Sequence, residues 1–229
     1  MIAPQREQSG VGTAITLRQP IGVSKVATEL NRVEAYAVAG TPADCVILGV
    51  RSLFPEEIDI VISGINMGPN IGHDNFVSGT VGAAIQGYLH GIPSLAVSLN
   101  AYEDLNFDAA ARLVSLLADR IKNGDLPKEI LLSVNLPNLP LNEIQGIEVT
   151  SLSNQSYCNA VEENCGCGET YYRIMRNKDT FLARQGTDIW ALQLNRASIT
   201  PLLNKSSVGS LKAHLQELLP AIYDDLRAL

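Results

Sequence analysis

Positive charge is in short supply in this chain. Lys and Arg total 17 against 24 Asp and Glu, for a formal net charge of −7 at pH 7. A general nucleic-acid binder needs a surplus of cations to displace counterions from phosphates, so that class is excluded and only a small local site for one phosphate stays open. Cysteine is scarce, four in 229 residues, too few for a disulfide framework. No apolar run approaches the roughly 18 residues that would span a bilayer. The opening MIAPQREQSG has neither the basic stretch nor the apolar core of a secretion signal. These absences predict a reduced, cytoplasmic protein with no membrane or nucleic-acid partner. Three motifs are missing as well: the Walker A lysine loop, the Gly-x-Ser-x-Gly nucleophile elbow and the dinucleotide Gly-x-Gly-x-x-Gly. Their absence argues against kinase-like, serine-hydrolase and nicotinamide-dehydrogenase readings.

What is present is an ordinary globular composition, 46% hydrophobic and 18% charged. The length suits one large domain that folds without staples. Extended segments are expected at Ala14 to Leu17, Ile21 to Ala27 and Arg32 to Val38. Thr41 then opens a helix, with its hydroxyl as cap, Pro42 at the first position and Asp44 at the positive end of the dipole. Ile58 to Gly64 reads as a buried strand, followed by a polar, glycine-rich loop. A helix opens at Ser78-Gly79-Thr80 and stops at Gly91. Pro93 to Leu99 is the next strand, Asn106 to Asn123 an amphipathic helix, and Ile130 to Leu136 another strand. This alternation predicts a doubly wound α/β layer structure over residues 1–140. Residues 141–229 read as an appendage on the same domain, suited to oligomer contacts. It carries extended pieces at Gln145 to Ser153, Thr170 to Met175 and Ser198 to Leu202 and a terminal helix from Ser210 to Leu219.

Ligands of open α/β sheets bind outside the carboxyl ends of the strands. The loop after Gly64 lies at such an end and carries Asn66, Asn70, His73, Asp74 and Asn75 ahead of Ser78-Gly79-Thr80. Free N–H groups at a helix start, approached closely past small residues, form an anion site, and the hydroxyls of Ser78 and Thr80 add donors. Either hydroxyl alone also serves as an ordinary N-cap. A strand-to-loop transition after Ile2-Ala3 would set Ser9 on the same sheet edge as Asn66, although Ser9 by itself also reads as a plain loop serine. His73, His90 and His214 show no metal spacing; His90 reads as a helix C-terminal cation. Cys165 and Cys167 are one residue apart, with Cys158 nearby, whereas structural zinc favours two to four residues between paired cysteines.

The segments Ala3-Pro4-Gln5-Arg6-Glu7-Gln8-Ser9-Gly10, Gly40-Thr41-Pro42-Ala43-Asp44-Cys45-Val46, Ser63-Gly64-Ile65-Asn66-Met67-Gly68-Pro69-Asn70 and Ser78-Gly79-Thr80-Val81-Gly82-Ala83-Ala84 resemble, in order, the SurE (survival protein E) family. So do Pro93 to Leu99, Val134-Asn135-Leu136-Pro137, Gly186-Thr187-Asp188 and Ser198 to Leu202. The resemblance implies a three-layer, Rossmann-like α/β core with a mostly parallel sheet and a C-terminal β/helix oligomerisation appendage. It also implies a homodimer or homotetramer and hydrolysis of nucleoside 5′- and 3′-monophosphates, with some exopolyphosphatase activity. A divalent cation, Mg²⁺ or Mn²⁺, is implied as cofactor. By motif position, Ser9 and Asn66 match metal ligands, and Asn70, Ser78, Gly79 and Thr80 match the phosphate-facing, catalytic part of the pocket.

Family members begin with a strand ending in two adjacent aspartates that bind the metal, and then a helix. Met1 falls inside their second strand, so that first strand, its carboxylates and the helix are expected to be absent. The sole Asp-Asp pair, Asp224-Asp225, lies in the terminal segment. Ser9 and Asn66 are neutral, whereas Mg²⁺ is usually held by one or two carboxylates plus waters; Asp74 is the nearest substitute. Two readings follow. One is an N-terminally incomplete version of an active phosphomonoester hydrolase. The other is a genuine short form, impaired in catalysis, that acts as a phosphate-binding or oligomeric scaffold.

Overall fold

The computed structural model describes residues 1–54, 58–154, 160–166, 169–175, 183–202 and 205–228. Its main sheet holds β4 (Val61–Met67), β5 (Ser94–Asn100), β6 (Leu131–Pro137), β10 (Ala197–Pro201) and β7 (Ile147–Val149), in that order across the sheet. β4, β5 and β6 run parallel; β10 lies antiparallel to β6, and β7 parallel to β10. A separate three-stranded sheet has the order β1 (Ile2–Pro4), β3 (Ala35–Val38), β2 (Val23–Val26), with β1 parallel and β2 antiparallel to β3. β8 (Ala160–Gly166) and β9 (Glu169–Met175) form an antiparallel hairpin. This is an α/β fold with a mostly parallel central sheet, and its strands from β7 to β10 come from beyond residue 140.

The helices divide between the two faces of the main sheet as the strand pleat requires. Side chains alternate along a strand, so Leu95, Val97 and Leu99 of β5 and Leu132, Val134 and Leu136 of β6 share one face. They pack there against α3 (Asp108–Lys122) through Leu113 and Leu117, and against α5 (Lys205–Arg227) through Leu215, Leu219, Ile222 and Leu226. The opposite face shows Ala96 and Leu131 to Val81 and Ala84 of α2 (Gly79–Leu89). Ser98, Ser133 and Asn135 fall on that same face, and all three are buried. Polar side chains on the two central strands thus sit only beneath α2 and the loop that precedes it.

α2 lies close to its neighbours because of its glycines. A Cβ at Gly82 would collide with the Gly12 carbonyl oxygen, and one at Gly87 with Ser94 and Val61. α1 (Pro42–Leu48) packs on α2 and begins with the expected cap: Asp44 N–H donates to Thr41 Oγ1 (3.1 Å), and Thr41 N–H donates to Asp44 Oδ2 (2.9 Å). The same carboxylate accepts from Thr16 N–H (2.8 Å) and Thr16 Oγ1 (2.6 Å).

That grip corrects one expectation. Ala14 to Leu17 forms no strand, because its polar groups are held by the α1 cap rather than by a sheet neighbour: Thr16 by Asp44, and the Ala14 carbonyl by Thr41 Oγ1 (2.7 Å). Three expected strands shorten at their ends to β2, β3 and β7, while the terminal helix extends to Lys205–Arg227. β1 falls where the sequence set a strand-to-loop transition after Ile2-Ala3, whereas β8 and α4 (Asp188–Gln193) have no counterpart in the sequence reading. No helix among the described residues is long and apolar enough to cross a membrane.

Asp44 makes the fold acid-sensitive. Burial pushes its carboxyl up, but the bonds from Thr16 and Thr41 outweigh this and hold it below its ordinary value. The stability it supplies is full above the unfolded-chain value, about 3.9, and drains away as pH falls through the lower folded-state value. Asp44→Asn is expected to cost about 2 kcal/mol at pH 7. In thermal melts, the gap between wild type and variant should close as pH drops below about 4.

Candidate active site

The carboxyl ends of β1 and β4 and the first turn of α2 surround one cavity of about 300 Å³. Ser9, Asn66, Asn70, Ser78, Gly79 and Thr80 all line it, together with Arg6, Glu7 and Asp74. The structure therefore brings together every site residue expected from the sequence, from three separate stretches of chain. His73 does not line the cavity; it is exposed, with its ring 6.2 Å from that of Phe76. His90 forms the C-cap of α2, with Nδ1 2.8 Å from the Gln86 carbonyl oxygen. The side chains of Cys158, Cys165 and Cys167 lie outside the described residues.

Each lining group has a definite local cause. Ser78 is the N-cap of α2, and its hydroxyl accepts from Val81 N–H (3.2 Å). Gly79 and Thr80 follow in the first turn, where backbone N–H groups have no helical acceptor and the dipole favours an anion. A Cβ on Gly79 would stand 3.0 Å from Pro42 Cγ and 3.1 Å from the Gln8 carbonyl oxygen, so three chain segments meet at this residue. Thr80 Oγ1 donates to Asn66 Oδ1 (3.3 Å), which joins the helix start to the end of β4. Asn66 Nδ2 donates to the Gly68 carbonyl (2.7 Å), which fixes the amide orientation. Ser9 Oγ donates to Glu7 Oε1 (2.7 Å) on the exposed side.

Asn70 is held most completely. Its N–H donates to Asn135 Oδ1 (2.8 Å), and Asn135 Nδ2 donates back to its carbonyl oxygen (3.0 Å). One side-chain amide thus pairs with the Asn70 backbone as a neighbouring strand would. Asn70 Nδ2 donates to Ser98 Oγ (2.7 Å), and Asn75 Nδ2 adds a second bond to the Asn70 carbonyl (2.9 Å). Further along the loop, Gly72 N–H donates to Asp188 Oδ2 (2.7 Å), while Oδ1 of that carboxylate accepts from Ser153 N–H and Ile189 N–H, both at 2.9 Å. Burial pushes the Asp188 carboxyl above its ordinary value, and the three N–H bonds offset this only in part.

Sequence reading did not single out Asn135, Ser98 or Asp188 as parts of the site. A signal existed for Asn135, an amide inside the otherwise apolar stretch Leu131 to Leu136. For Asp188 the segment Gly186-Thr187-Asp188 carried the family resemblance, but nothing local tied it to Gly72, 116 residues away.

The donor set does not make a divalent-cation site by itself. Ser9 and Asn66 offer neutral oxygens, and no three His, Cys, Asp or Glu gather anywhere among the described residues. Glu7 and Asp74 also line the cavity, but Glu7 is exposed and bonded to Ser9, and Asp74 is buried and does not join any group of three His, Cys, Asp or Glu among the described residues. A Mg²⁺-like ion usually has one or two carboxylates plus waters. The free N–H groups of the first turn of α2 instead favour an anion.

Fold and site together define an α/β protein with a polar cavity at the carboxyl edge of its strands and the N-terminus of α2. Residues 1–159 match the family described as survival protein SurE, and the chain belongs to that family. It is 44% identical to the 5′-nucleotidase SurE of Dehalococcoides mccartyi (strain CBDB1) over 204 residues, 88% of this chain and 77% of the relative. To the 5′-nucleotidase SurE of Moorella thermoacetica it is 41% identical over 225 residues, 96% of this chain and 86% of the relative. The crystal structure of the SurE protein from Aquifex aeolicus superposes with a TM-score of 0.74 at 38% identity, covering 93% of this chain and 86% of that one.

Removing the Asn135 amide tests how far Asn70 is positioned from below. Asn135→Ala leaves the buried Asn70 N–H without its acceptor, a cost of roughly 1–3 kcal/mol, while Asn75 still serves the carbonyl. The variant should melt at lower temperature and bind inorganic phosphate at least about tenfold more weakly by calorimetry, since 1.4 kcal/mol is a factor of ten. Unchanged phosphate affinity would show that Asn70 is not held in place by this pair.

Proposed function

We propose that this chain is a phosphomonoester hydrolase of the nucleotidase class that releases phosphate from nucleoside 5′-monophosphates, with 3′-monophosphates as secondary substrates. The observation that carries this reading is the convergence of Ser9, Asn66, Asn70 and Ser78 to Thr80 on one cavity at a helix N-terminus. The names of its relatives, 5′-nucleotidase SurE at 44% and 41% identity, support the substrate class. In this reading the N–H groups of Gly79 and Thr80 hold the phosphate oxygens, and the helix dipole stabilises charge that develops on them. The Thr80 hydroxyl and the Asn70 amide orient the group, and Arg6 adds a cation at the cavity mouth.

A divalent cation, Mg²⁺ or Mn²⁺, would supply polarisation of the phosphoryl oxygens and an activated water. Ser9 and Asn66 are the residues the resemblance assigns to it, and they are insufficient without carboxylates. That shortfall favours a second reading, a phosphate-binding scaffold that does not turn over. A homodimer or homotetramer belongs to the proposal too. It is supported by the large apolar side chains exposed on the β8–β9 hairpin, Val161, Tyr172 and Ile174.

Phosphate release from AMP and GMP, with tripolyphosphate as a third substrate, separates these readings. Hydrolysis above the buffer rate, weakened in Thr80→Val, supports the nucleotidase. AMP bound in EDTA without turnover supports the scaffold. Neither binding nor turnover overturns both. Calorimetry with Mn²⁺ alone gives a second separation: saturable heat of binding supports the metal-assisted hydrolase, and no heat of binding favours the scaffold.

A further inference from the structure

Asp188, at the start of α4, is fully buried, at 0% exposure, and does not line the candidate pocket. Among the described residues no Lys, Arg or His pairs with it. Backbone alone meets its charge: Oδ2 accepts from Gly72 N–H, and Oδ1 from Ser153 and Ile189 N–H. Gly72 lies between Asn70 and Ser78, both of which line the pocket. It opens the short 3-10 turn Gly72–Phe76, with φ in the left-handed region at +53°. Within this turn Asp74 N–H donates to the Ile71 carbonyl (3.1 Å), and Val77 N–H to the Asp74 carbonyl (3.2 Å). The Val77 carbonyl in turn accepts from Gly12 N–H (2.9 Å), on the loop that carries Ser9. Ile71 packs alongside, against Ile189 and Leu192 of α4.

Both oxygens of this side chain face N–H groups, so the position needs an acceptor on each side. An ionised carboxylate is acceptor-only, whereas an amide offers one acceptor and turns an NH2 group toward a peptide N–H. We propose that Asp188 is a positioning residue for the phosphate pocket: through Gly72 it seats the 3-10 turn that places Asp74 and Ser78 and, across Val77, the loop of Ser9. The substrate is that of the nucleotidase reading, on which this inference rests. Asn135 holds Asn70 from β6 independently, so loss of the Gly72 bond falls on the stretch from Gly72 to Val77. That stretch then exchanges between its seated arrangement and others. A ligand that needs the seated arrangement binds more weakly by the seated fraction, while the complex, once formed, is that of the wild type. The signature is a raised KM with little change in kcat. A fold that is merely weakened gives the opposite pattern, fewer active molecules with an unchanged KM.

Asp188→Asn and Asp188→Ser are compared with Leu117→Ala, which opens a cavity in the core between α3 and the main sheet, away from the pocket. In both Asp188 variants the KM for AMP is expected to rise at least about tenfold with kcat within about threefold of wild type. Calorimetry should show inorganic phosphate bound at least about tenfold more weakly. Leu117→Ala should leave KM and phosphate affinity within about twofold of wild type. Hydrogen exchange reads the same positioning without any ligand: the Gly12 and Val77 amides should exchange at least about tenfold faster in the Asp188 variants than in Leu117→Ala. A wild type that releases no phosphate from AMP counts against the nucleotidase reading, and phosphate affinity and exchange then decide the role of Asp188. Unchanged exchange at both amides, phosphate affinity equal to wild type, or a lowered kcat at unchanged KM overturns the proposal. So does failure of both Asp188 variants to fold, which assigns the carboxylate to the stability of the core.

Discussion

The candidate site rests on one buried pairing, the amide of Asn135 against the backbone of Asn70. A loop that crosses the end of a sheet must satisfy its peptide groups away from water, and an orphaned buried N–H or C=O is costly. Here a side chain from the central strand β6 supplies both partners. Ser98 of β5 holds the Asn70 side chain, and Asn75 folds back onto the same carbonyl. The loop is thereby locked to two buried central strands of the main sheet, and the position of Asn70 follows the rigidity of the core.

A second grip acts from the far end of the chain. Asp188, at the start of α4, accepts from Gly72 and Ser153. Burial works against its charge, so the carboxylate is tolerated only because three N–H groups point at it. Of the strands beyond residue 140, β10 and β7 extend the same sheet, and α5 packs on α3. The C-terminal region thus holds part of the candidate-site loop in place while completing the core.

The glycines of α2 set the third constraint. Helix and sheet approach so closely that Gly82 and Gly87 admit no Cβ, and the turn at Gly12 lies directly against the helix. This contact brings the Gln8 to Gly12 loop against the first turns of α2, where Ser9 joins the lining of the candidate pocket.

Much of this was legible along the chain. The Thr41 to Asp44 cap, the helix start at Ser78 and the alternation in β5 and β6 are local consequences of capping chemistry and of the strand period, and the site residues Ser9, Asn66, Asn70, Ser78, Gly79 and Thr80 were placed by the family's motifs. What a linear reading could not reach were pairings set by packing. Thr16 is captured by a carboxylate 28 residues away rather than entering a sheet, and Gly72 is bonded to Asp188 across 116 residues. Local propensities decide which segments become helix or strand and which end of each can face an anion. Only the assembled fold decides which distant side chain satisfies a buried peptide group and whether two strand edges meet, because both depend on the long-range closure of the sheet.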